Sequence, residues 1–263
     1  MSAPRKFRDL LFLPRKFVGT ILQFPCPEIV EMIKEAGYDY IIIDNEHSYA
    51  TQEQTLQMLR AAECVGIPAM LRIPHIEENI VKTALDMGFS AIRAPTVSSV
   101  EDALCLIQYA KFPPDGKRGA CPFVRANRFG GMDKAAFYEK ANRDLVLAVN
   151  IEGEEGVRNM EEIIRLDGID IINVGRVDLS VALGVPGQTN HPLVEQEVRR
   201  VSALCVKYGK YSGTYIERPE QAADYRDCPG ITHFLTKTPE SVLIDGYRTF
   251  FQQVTEHCKP GEY

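Results

Sequence analysis

The segment YIIIDNEHS, Tyr40–Ser48, decides the fold. An unbroken apolar run rich in β-branched residues predicts a strand that is buried on both faces. Such strands belong to parallel sheets whose faces are covered by helices. Asp44, Glu46 and His47 would then lie at the carboxyl end of the strand, where α/β folds place catalytic groups. From this segment alone, the alternative is a charged loop in which His47 only caps the next helix.

Seven further apolar runs, each followed by a helix-like segment, extend this pattern. The predicted strands are 17–23, 40–44, 69–74, 90–96, 145–152, 170–175, 211–216 and 232–237. Eight strand–helix units in a chain of 263 residues predict a (β/α)8 barrel, which typically needs ~250 residues. The alternative is an open doubly wound sheet, which the count of eight and the lack of a GxGxxG turn disfavour.

We expect one domain over residues 1–263, in which residues 1–16 form an arm or a lid at the bottom of the barrel. Two stretches, 113–131 and 176–192, are predicted to be loops because they are rich in Gly, Pro and polar residues. In an extended stretch after the sixth strand, Arg176 and Asp178 would share one face.

Composition excludes several classes of partner. A net charge of −6 gives no basic surface for nucleic acid, and the apolar runs are too short to span a membrane. The seven cysteines are scattered and form no CxxC pair, which is typical of the reducing cytoplasm. We therefore expect a cytoplasmic protein that acts on small molecules.

Charged residues collect at the ends of four predicted strands, which converge on one face of a barrel. Glu152 ends the fifth strand and Asp178 follows the sixth, and the two would repel each other unless a cation lay between them. Two carboxylates with water suit Mg²⁺ or Mn²⁺ and leave positions for a substrate. The structural alternative is that both carboxylates form salt bridges with Arg72 and Arg176.

A family resemblance rests on longer motifs. The stretch GTILQFPCPEIVEMIKEAGYDYIIIDNEHS, followed by LRIP, ALDMGF, PPDGKRG, NIEG, VDLSVALGVPG and NHP, resembles the HpcH/HpaI aldolases, the class II pyruvate-dependent aldolases. The likeness extends over roughly residues 17–210. It implies a (β/α)8 barrel, a C-terminal helix swapped between partners, and a homo-oligomer that is often a trimer of dimers.

The resemblance also implies roles for individual residues. His47 would be the catalytic base, oriented by Asp44 and made more basic by Asp86, and Arg72 would steady the enolate oxygen. The implied ligands of Mg²⁺, Mn²⁺ or Co²⁺ are Glu152 and Asp178. The backbone of Gly175, Val177 and Asp178 would hold the pyruvate carboxylate.

Two departures from the family pattern bear on the substrate. Asn150 stands where the family usually has Gln, one methylene shorter beside the substrate. Arg176 stands where the family pattern GPxDLS has Pro. We expect Arg176 either to pair with Asp178 in competition with the metal or, the choice we favour, to bind a second carboxylate on the substrate.

The chemistry expected from these residues is metal-assisted cleavage or formation of a 4-hydroxy-2-oxo acid, with pyruvate and an aldehyde as the other partners. A metal supplies the Lewis acid, an arginine stabilises the enolate and an imidazole moves the proton. Lys237, at the end of the eighth strand, offers a second mechanism through a Schiff base. A third hypothesis is a non-catalytic protein that binds 2-oxo acids.

Overall fold

The computed structural model describes residues 6–258, and its centre is a closed barrel of eight parallel strands in sequence order. The strands are β1 (Phe17–Leu22), β2 (Tyr40–Asp44), β3 (Ala69–Arg72), β4 (Ala91–Ala94), β5 (Val146–Ile151), β6 (Ile171–Val174), β7 (Tyr211–Tyr215) and β8 (Ile231–Leu235). All eight predicted strands are present. The predicted (β/α)8 barrel is therefore confirmed.

Helices surround the barrel. The α-helices are α1 (Phe7–Leu10), α2 (Pro27–Glu35), α3 (Gln52–Val65), α4 (Glu78–Met87), α5 (Val100–Ala110), α6 (Lys134–Asp144), α7 (Glu154–Ile164), α8 (Arg176–Ala182), α9 (Pro192–Tyr208) and α10 (Pro239–His257). Two 3₁₀ helices cover Arg125–Gly130 and Pro219–Tyr225.

Two of these helices correct the sequence analysis. Helix α6 follows the long loop after β4 and was not predicted, and α8 occupies a stretch that was predicted to be extended. The inward face of α8 carries Arg176, Leu179 and Ser180, while Val177 and Val181 are exposed. Hydrophobic periodicity therefore gave no helical signal there, because the buried face is partly polar.

The interior of the barrel is apolar at its N-terminal end. Phe17 and Tyr40 make edge-to-face ring contacts, and Phe7 of α1 packs edge-on against Tyr40. A Cβ on Gly19 would clash with the Tyr40 ring, so glycine is what lets this ring fill the interior. Helix α1 packs against this end of the barrel, and residues 1–5 of the predicted N-terminal arm lie outside the described residues.

Helix α10 lies apart from the core. Within it only Pro239 is buried, and its exposed large apolar residues are Val242, Leu243, Ile244, Tyr247, Phe250, Phe251 and Val254. A run of exposed apolar side chains of this size is typical of an interaction surface. Within residues 6–258, every helix is too short or too polar to cross a membrane.

Candidate active site

A layer of polar side chains lies above the apolar interior. Arg72 pairs in register with Asp44 on one side and Arg93 on the other, and Asn150 pairs with Asn173. Side chains alternate along a strand, so residues spaced by two along β5 share the inner face, which places Asn150 and Glu152 together. The layer is Asp44, Arg72, Arg93, Asn150, Glu152 and Asn173. It forms the C-terminal end of the barrel, where such folds carry their chemistry.

Arg72 and Asp44 form a bidentate ion pair at the centre of this layer. Arg72 Nε donates to Asp44 Oδ1 at 2.8 Å and Nη2 donates to Oδ2 at 2.6 Å. Burial alone would raise the pKa of Asp44, but the hydrogen bonds and charge of Arg72 bring it below its usual value. Burial would likewise lower the pKa of Arg72, and the hydrogen bonds to Asp44 with the nearby negative charges raise it instead. Both groups are therefore held in their charged forms.

His47 lies on the loop after β2 with 60% of its side chain exposed. Its nearest carboxylate is Glu46, whose Oε1 is 3.8 Å from Nε2. The expectation that Asp44 orients His47 is wrong for this arrangement. The side chain of Asp44 is taken up by Arg72, by Gln23 and by the backbone N–H of Glu46. Asp44 instead positions Arg72.

Glu46 links the two groups. Its Oε2 lies 3.0 Å from Arg72 Nη1 but makes no aligned hydrogen bond within the described residues. Burial raises the pKa of Glu46, and the charge of Arg72 only partly opposes that effect. Glu46 therefore lies between the exposed imidazole of His47 and the partly buried guanidinium of Arg72.

Glu152 is fixed from two sides, with only 7% of the residue exposed. Its Oε2 accepts hydrogen bonds from the backbone N–H and the hydroxyl of Thr96, at 3.1 and 2.9 Å. Its Oε1 accepts from Asn150 Nδ2 at 2.5 Å. Thr96 has a φ of 47°, a left-handed conformation that is rare and costly for a β-branched residue. This strained turn holds the carboxylate in place.

The turn before α8, which leads to Asp178, packs on the same carboxylate. A Cβ on Gly175 would clash with Glu152 Cγ and stand 2.7 Å from its Oε1, so the turn packs directly on Glu152. Asp178 follows three residues later in the first turn of α8 and is exposed. The structure thus brings the neighbourhoods of the two predicted metal ligands together.

The donor set fits a hard divalent cation. Groups of three or more His, Cys, Asp or Glu side chains that could hold a metal are absent from residues 6–258. A structural zinc site needs such a group, whereas Mg²⁺ is commonly held by one or two carboxylates with water and substrate oxygens. Glu152 and Asp178 match the second pattern.

Arg93 is a site residue that the sequence analysis missed. It is 8% exposed, and its Nε donates to Asn150 Oδ1 at 2.6 Å. Burial, and then the charge of Arg72, lowers the pKa of Arg93 to about 10. The available signal was a charged residue inside the apolar run of β4, whose polar partner lies 57 positions away in the sequence. Asn173, also missed, is buried beside Asn150.

The structure contradicts both expectations for Arg176, because its guanidinium is buried and its hydrogen bonds go to residues other than Asp178. As the first residue of α8 it is 3% exposed and points away from Asp178. Its nitrogens donate to Thr214, to the Thr189 carbonyl, to Glu195 and to the Tyr225 hydroxyl. The prediction failed because it assumed an extended segment, in which alternate residues share a face. Here Arg176 anchors α8 to α9 and β7.

Asp86 lies near the end of α4, in the outer helical layer. It forms an ion pair with Arg118, from Nη2 to Oδ1 at 2.6 Å. Across the described part of the chain, no hydrogen bond or ion pair joins Asp86 to His47. Within one chain, no contact of Asp86 could therefore produce its predicted effect on the basicity of His47.

Lys237 is exposed and forms an ion pair with Asp245 at 2.8 Å. The hydrogen bond to Asp245 raises the pKa of Lys237. A Schiff-base lysine must be neutral to attack a carbonyl, and such lysines are made so by burial or by neighbouring cations. The surroundings of Lys237 act in the opposite direction, which disfavours the Schiff-base alternative.

The chain is similar to known proteins over most of its length. The family model of the HpcH/HpaI aldolase/citrate lyase family matches residues 22–226. A 5-keto-4-deoxy-D-glucarate aldolase of Enterobacter sp. (strain 638) is 31% identical over 210 residues, which cover 80% of this chain and 81% of the relative. Two solved structures are similar over nearly the whole chain. An HpcH/HpaI aldolase/citrate lyase family protein from Burkholderia cenocepacia J2315 has 30% identity and a TM-score of 0.87, covering 94% of this chain and 98% of that one. An HpcH/HpaI aldolase from Desulfitobacterium hafniense DCB-2 has 26% identity and a TM-score of 0.89, covering 98% and 99%.

Proposed function

The chain belongs to the HpcH/HpaI aldolase/citrate lyase family, and we propose that it is a divalent-metal-dependent pyruvate aldolase. It cleaves, or in reverse forms, a 4-hydroxy-2-oxo acid, with pyruvate and an aldehyde as the two fragments. The observation that carries the proposal is the buried layer in which Arg72 and Glu152 are each held in one orientation beside an exposed imidazole.

The proton chemistry falls to His47. Its exposed position lets it reach the 4-hydroxyl of a substrate whose 2-oxo acid end lies deeper in the barrel. When His47 takes the hydroxyl proton, the C3–C4 bond breaks, the aldehyde leaves and the electron pair moves to the 2-oxo oxygen. Return of that proton from His47 to C3 of the resulting enolate gives pyruvate and restores the neutral imidazole.

The enolate oxygen is stabilised by Arg72. Its guanidinium is oriented before the substrate arrives, since Asp44 holds two of its nitrogens. Positive charge that needs no reorganisation during the reaction is the most effective form of electrostatic catalysis. Asp44 is therefore a positioning residue that acts through Arg72.

The carboxylate of the 2-oxo acid binds at the turn before α8 in this proposal. The first hydrogen bond of α8 runs from Leu179 N to Gly175 O. The backbone N–H groups of Val177 and Asp178 therefore have no partner within the helix and can donate to the substrate carboxylate. Asn150 contributes an amide whose orientation is set by Arg93 and Glu152.

Glu152 and Asp178 would hold the divalent metal, with Mg²⁺, Mn²⁺ and Co²⁺ as candidates. When bound there, the metal supplies Lewis acidity at the 2-oxo acid. Thr96 and Asn150 fix Glu152 for this purpose, which is the usual task of groups around a metal ligand.

Assembly and location belong to the same proposal. The exposed apolar face of α10 is suited to exchange with a partner copy, in the homo-oligomer, a trimer of dimers, that the family resemblance implies. All seven cysteines are free, which suits a cytoplasmic location.

A coupled assay tests the proposed function. Pyruvate released from a panel of 4-hydroxy-2-oxo acids is measured with lactate dehydrogenase in the presence of Mg²⁺, Mn²⁺ or Co²⁺. We expect metal-activated release from at least one substrate. Pyruvate trapped on Lys237 by borohydride would instead support the Schiff-base mechanism. Binding of 2-oxo acids without any release would support a non-catalytic binding protein.

A further inference from the structure

Arg93 has an unusual environment for a buried cation. It lies on the inner face of β4 beside Arg72, and only 8% of the residue is exposed. Within residues 6–258 its one hydrogen bond runs from Nε to the amide oxygen of Asn150. Carboxylate partners within ion-pair distance are absent among residues 6–258, whereas Arg72 has two such partners.

The two terminal nitrogens of Arg93 are the unpaired part of its side chain. Neither Nη1 nor Nη2 makes a hydrogen bond to the described residues, and neither atom is completely buried. A buried charge without a counter-charge is costly for a fold. The guanidinium is thus oriented at one edge and free to bind an anion at the other.

Asn150 fixes the direction of this guanidinium. Its amide oxygen accepts from Arg93 Nε at 2.6 Å while its amide nitrogen donates to Glu152 Oε1 at 2.5 Å. The amide can therefore have only one orientation. Asn150 is shorter than the Gln of the family pattern, and the Arg93 side chain reaches it from the neighbouring strand.

The depth of Arg93 indicates which part of a substrate it meets. His47, which acts at the 4-hydroxyl, is 60% exposed, whereas Arg93 lies in the buried layer with Arg72 and Glu152. The substrate must enter from the exposed side, so its 2-oxo acid end lies deeper than its aldehyde end. Arg93 is on the deep side.

We propose that Arg93 is a second substrate-binding arginine, whose free nitrogens bind an anionic oxygen of the 2-oxo acid part of the substrate. The inference rests on the proposed function and adds to it. Arg93 then shares with Arg72 the negative charge that the substrate brings and that grows on the 2-oxo oxygen when the enolate forms. The bound 2-oxo acid, whose carboxylate also meets the turn before α8, brings the negative charge that the free protein lacks beside Arg93.

The test measures pyruvate binding by calorimetry in saturating Mg²⁺, for the wild type, Arg93→Met and Arg93→Lys. The control Arg158→Met removes a cation of α7 that is 67% exposed. Loss of a hydrogen bond to a charged group predicts about 10- to 100-fold weaker pyruvate binding in Arg93→Met. Arg93→Lys should recover only part of it, because a lysine lacks the planar fork. The control should bind pyruvate like the wild type.

Stability separates substrate binding from a structural role. Removing a buried charge that has no ion-pair partner offsets the lost hydrogen bond to Asn150, so the melting temperature of Arg93→Met should change little, with Mg²⁺ affinity within about twofold of the wild type. If the variant instead loses stability or metal affinity in step with pyruvate affinity, Arg93 only braces Asn150 and the proposal is wrong.

Steady-state kinetics distinguish the source of the anion. Arg93→Met should lose kcat/KM equally on substrates with and without a carboxylate on the aldehyde part. If Arg93→Met lost kcat/KM only on substrates that carry a carboxylate on the aldehyde part, and still bound pyruvate normally, the proposal would be overturned. Arg93 would then bind that distal carboxylate. Because binding is measured without turnover, Arg93-dependent pyruvate binding in a protein that cleaves no substrate would reject the proposed function and keep this inference. Wild-type protein that binds no pyruvate would reject the inference.

Discussion

Arg72 binds Asp44 along one edge of its guanidinium, through Nε and Nη2, while Nη1 lies 3.0 Å from Glu46. Three nitrogens in one plane thus meet two carboxylates at fixed angles. This arrangement requires the planar guanidinium of an arginine as well as its positive charge.

Arg72→Lys should restore little of the activity lost in Arg72→Ala. A lysine ammonium cannot donate along both edges, so the positive charge would move away from the enolate oxygen, and a misplacement of about 1 Å can cost ~10²-fold in rate. The measurement is kcat for pyruvate release by the two variants. Equal rates for Arg72→Lys and the wild type would show that charge alone matters.

His47→Ala should lower kcat by ~10²–10⁴, the usual effect of losing a positioned general base. Pyruvate binding should remain nearly intact, because the imidazole is exposed and acts on the hydroxyl that pyruvate lacks. Steady-state kinetics and calorimetry measure the two effects separately. An unchanged kcat would mean that His47 has only a structural role in the loop after β2.

Gly175→Ala should weaken metal binding by about 10- to 100-fold, a size typical of disturbing the groups around a metal ligand. The new Cβ would clash with Glu152 Cγ and displace the carboxylate. Gly153→Ala is the matched control, since a Cβ there meets nothing within 4 Å. Mn²⁺ binding is measured by equilibrium dialysis. Equal Mn²⁺ affinity of Gly175→Ala and Gly153→Ala would show that the turn before α8 does not contribute to the metal site.

Asp144 gives a prediction of pH-dependent stability. Burial alone would raise its pKa, but hydrogen bonds from Lys140 and Lys6 lower it to about 2. A lowered pKa stabilises the fold above the unfolded value near 4, and this contribution is lost as the pH falls from about 4 towards 2.

Asp144→Asn should therefore lower the free energy of unfolding by about 1 kcal/mol at pH 7, since its lysine partners are partly exposed. The difference from the wild type should shrink at pH 3. Urea unfolding at both values measures it, with Glu139→Gln on the exposed side of α6 as the control. A difference that is the same at both pH values would contradict the account.

The barrel could be predicted from sequence because its strands are buried on both faces. A run such as Tyr40–Ile43 has no polar side to hide, so local composition carries the signal. Helix α8 could not be predicted in this way, since Arg176 faces inward to partners on β7 and α9. Its burial depends on residues that are distant in the sequence.

The site was predicted in part for the same reason. Glu152 stood out because it ends a strand, whereas Arg93 sits within one and is explained only by its contact with Asn150. Asp44 was predicted at the end of the second strand as the residue that orients His47, whereas its hydrogen bonds go to Arg72. The sequence shows which strand ends carry a charged residue. The pairing register of neighbouring strands decides which of these charged residues lie next to each other.

Metal dependence tests the central claim most directly. Wild type and Glu152→Gln are treated with EDTA and dialysed, and pyruvate release from a 4-hydroxy-2-oxo acid is followed as Mg²⁺, Mn²⁺ or Co²⁺ is added. Glu154→Gln, at a position 67% exposed on α7, is the control. We predict that chelated wild type and control are inactive and recover fully, while Glu152→Gln needs at least about 10-fold more metal. Full activity of the wild type in excess EDTA, with no metal bound, would contradict the account.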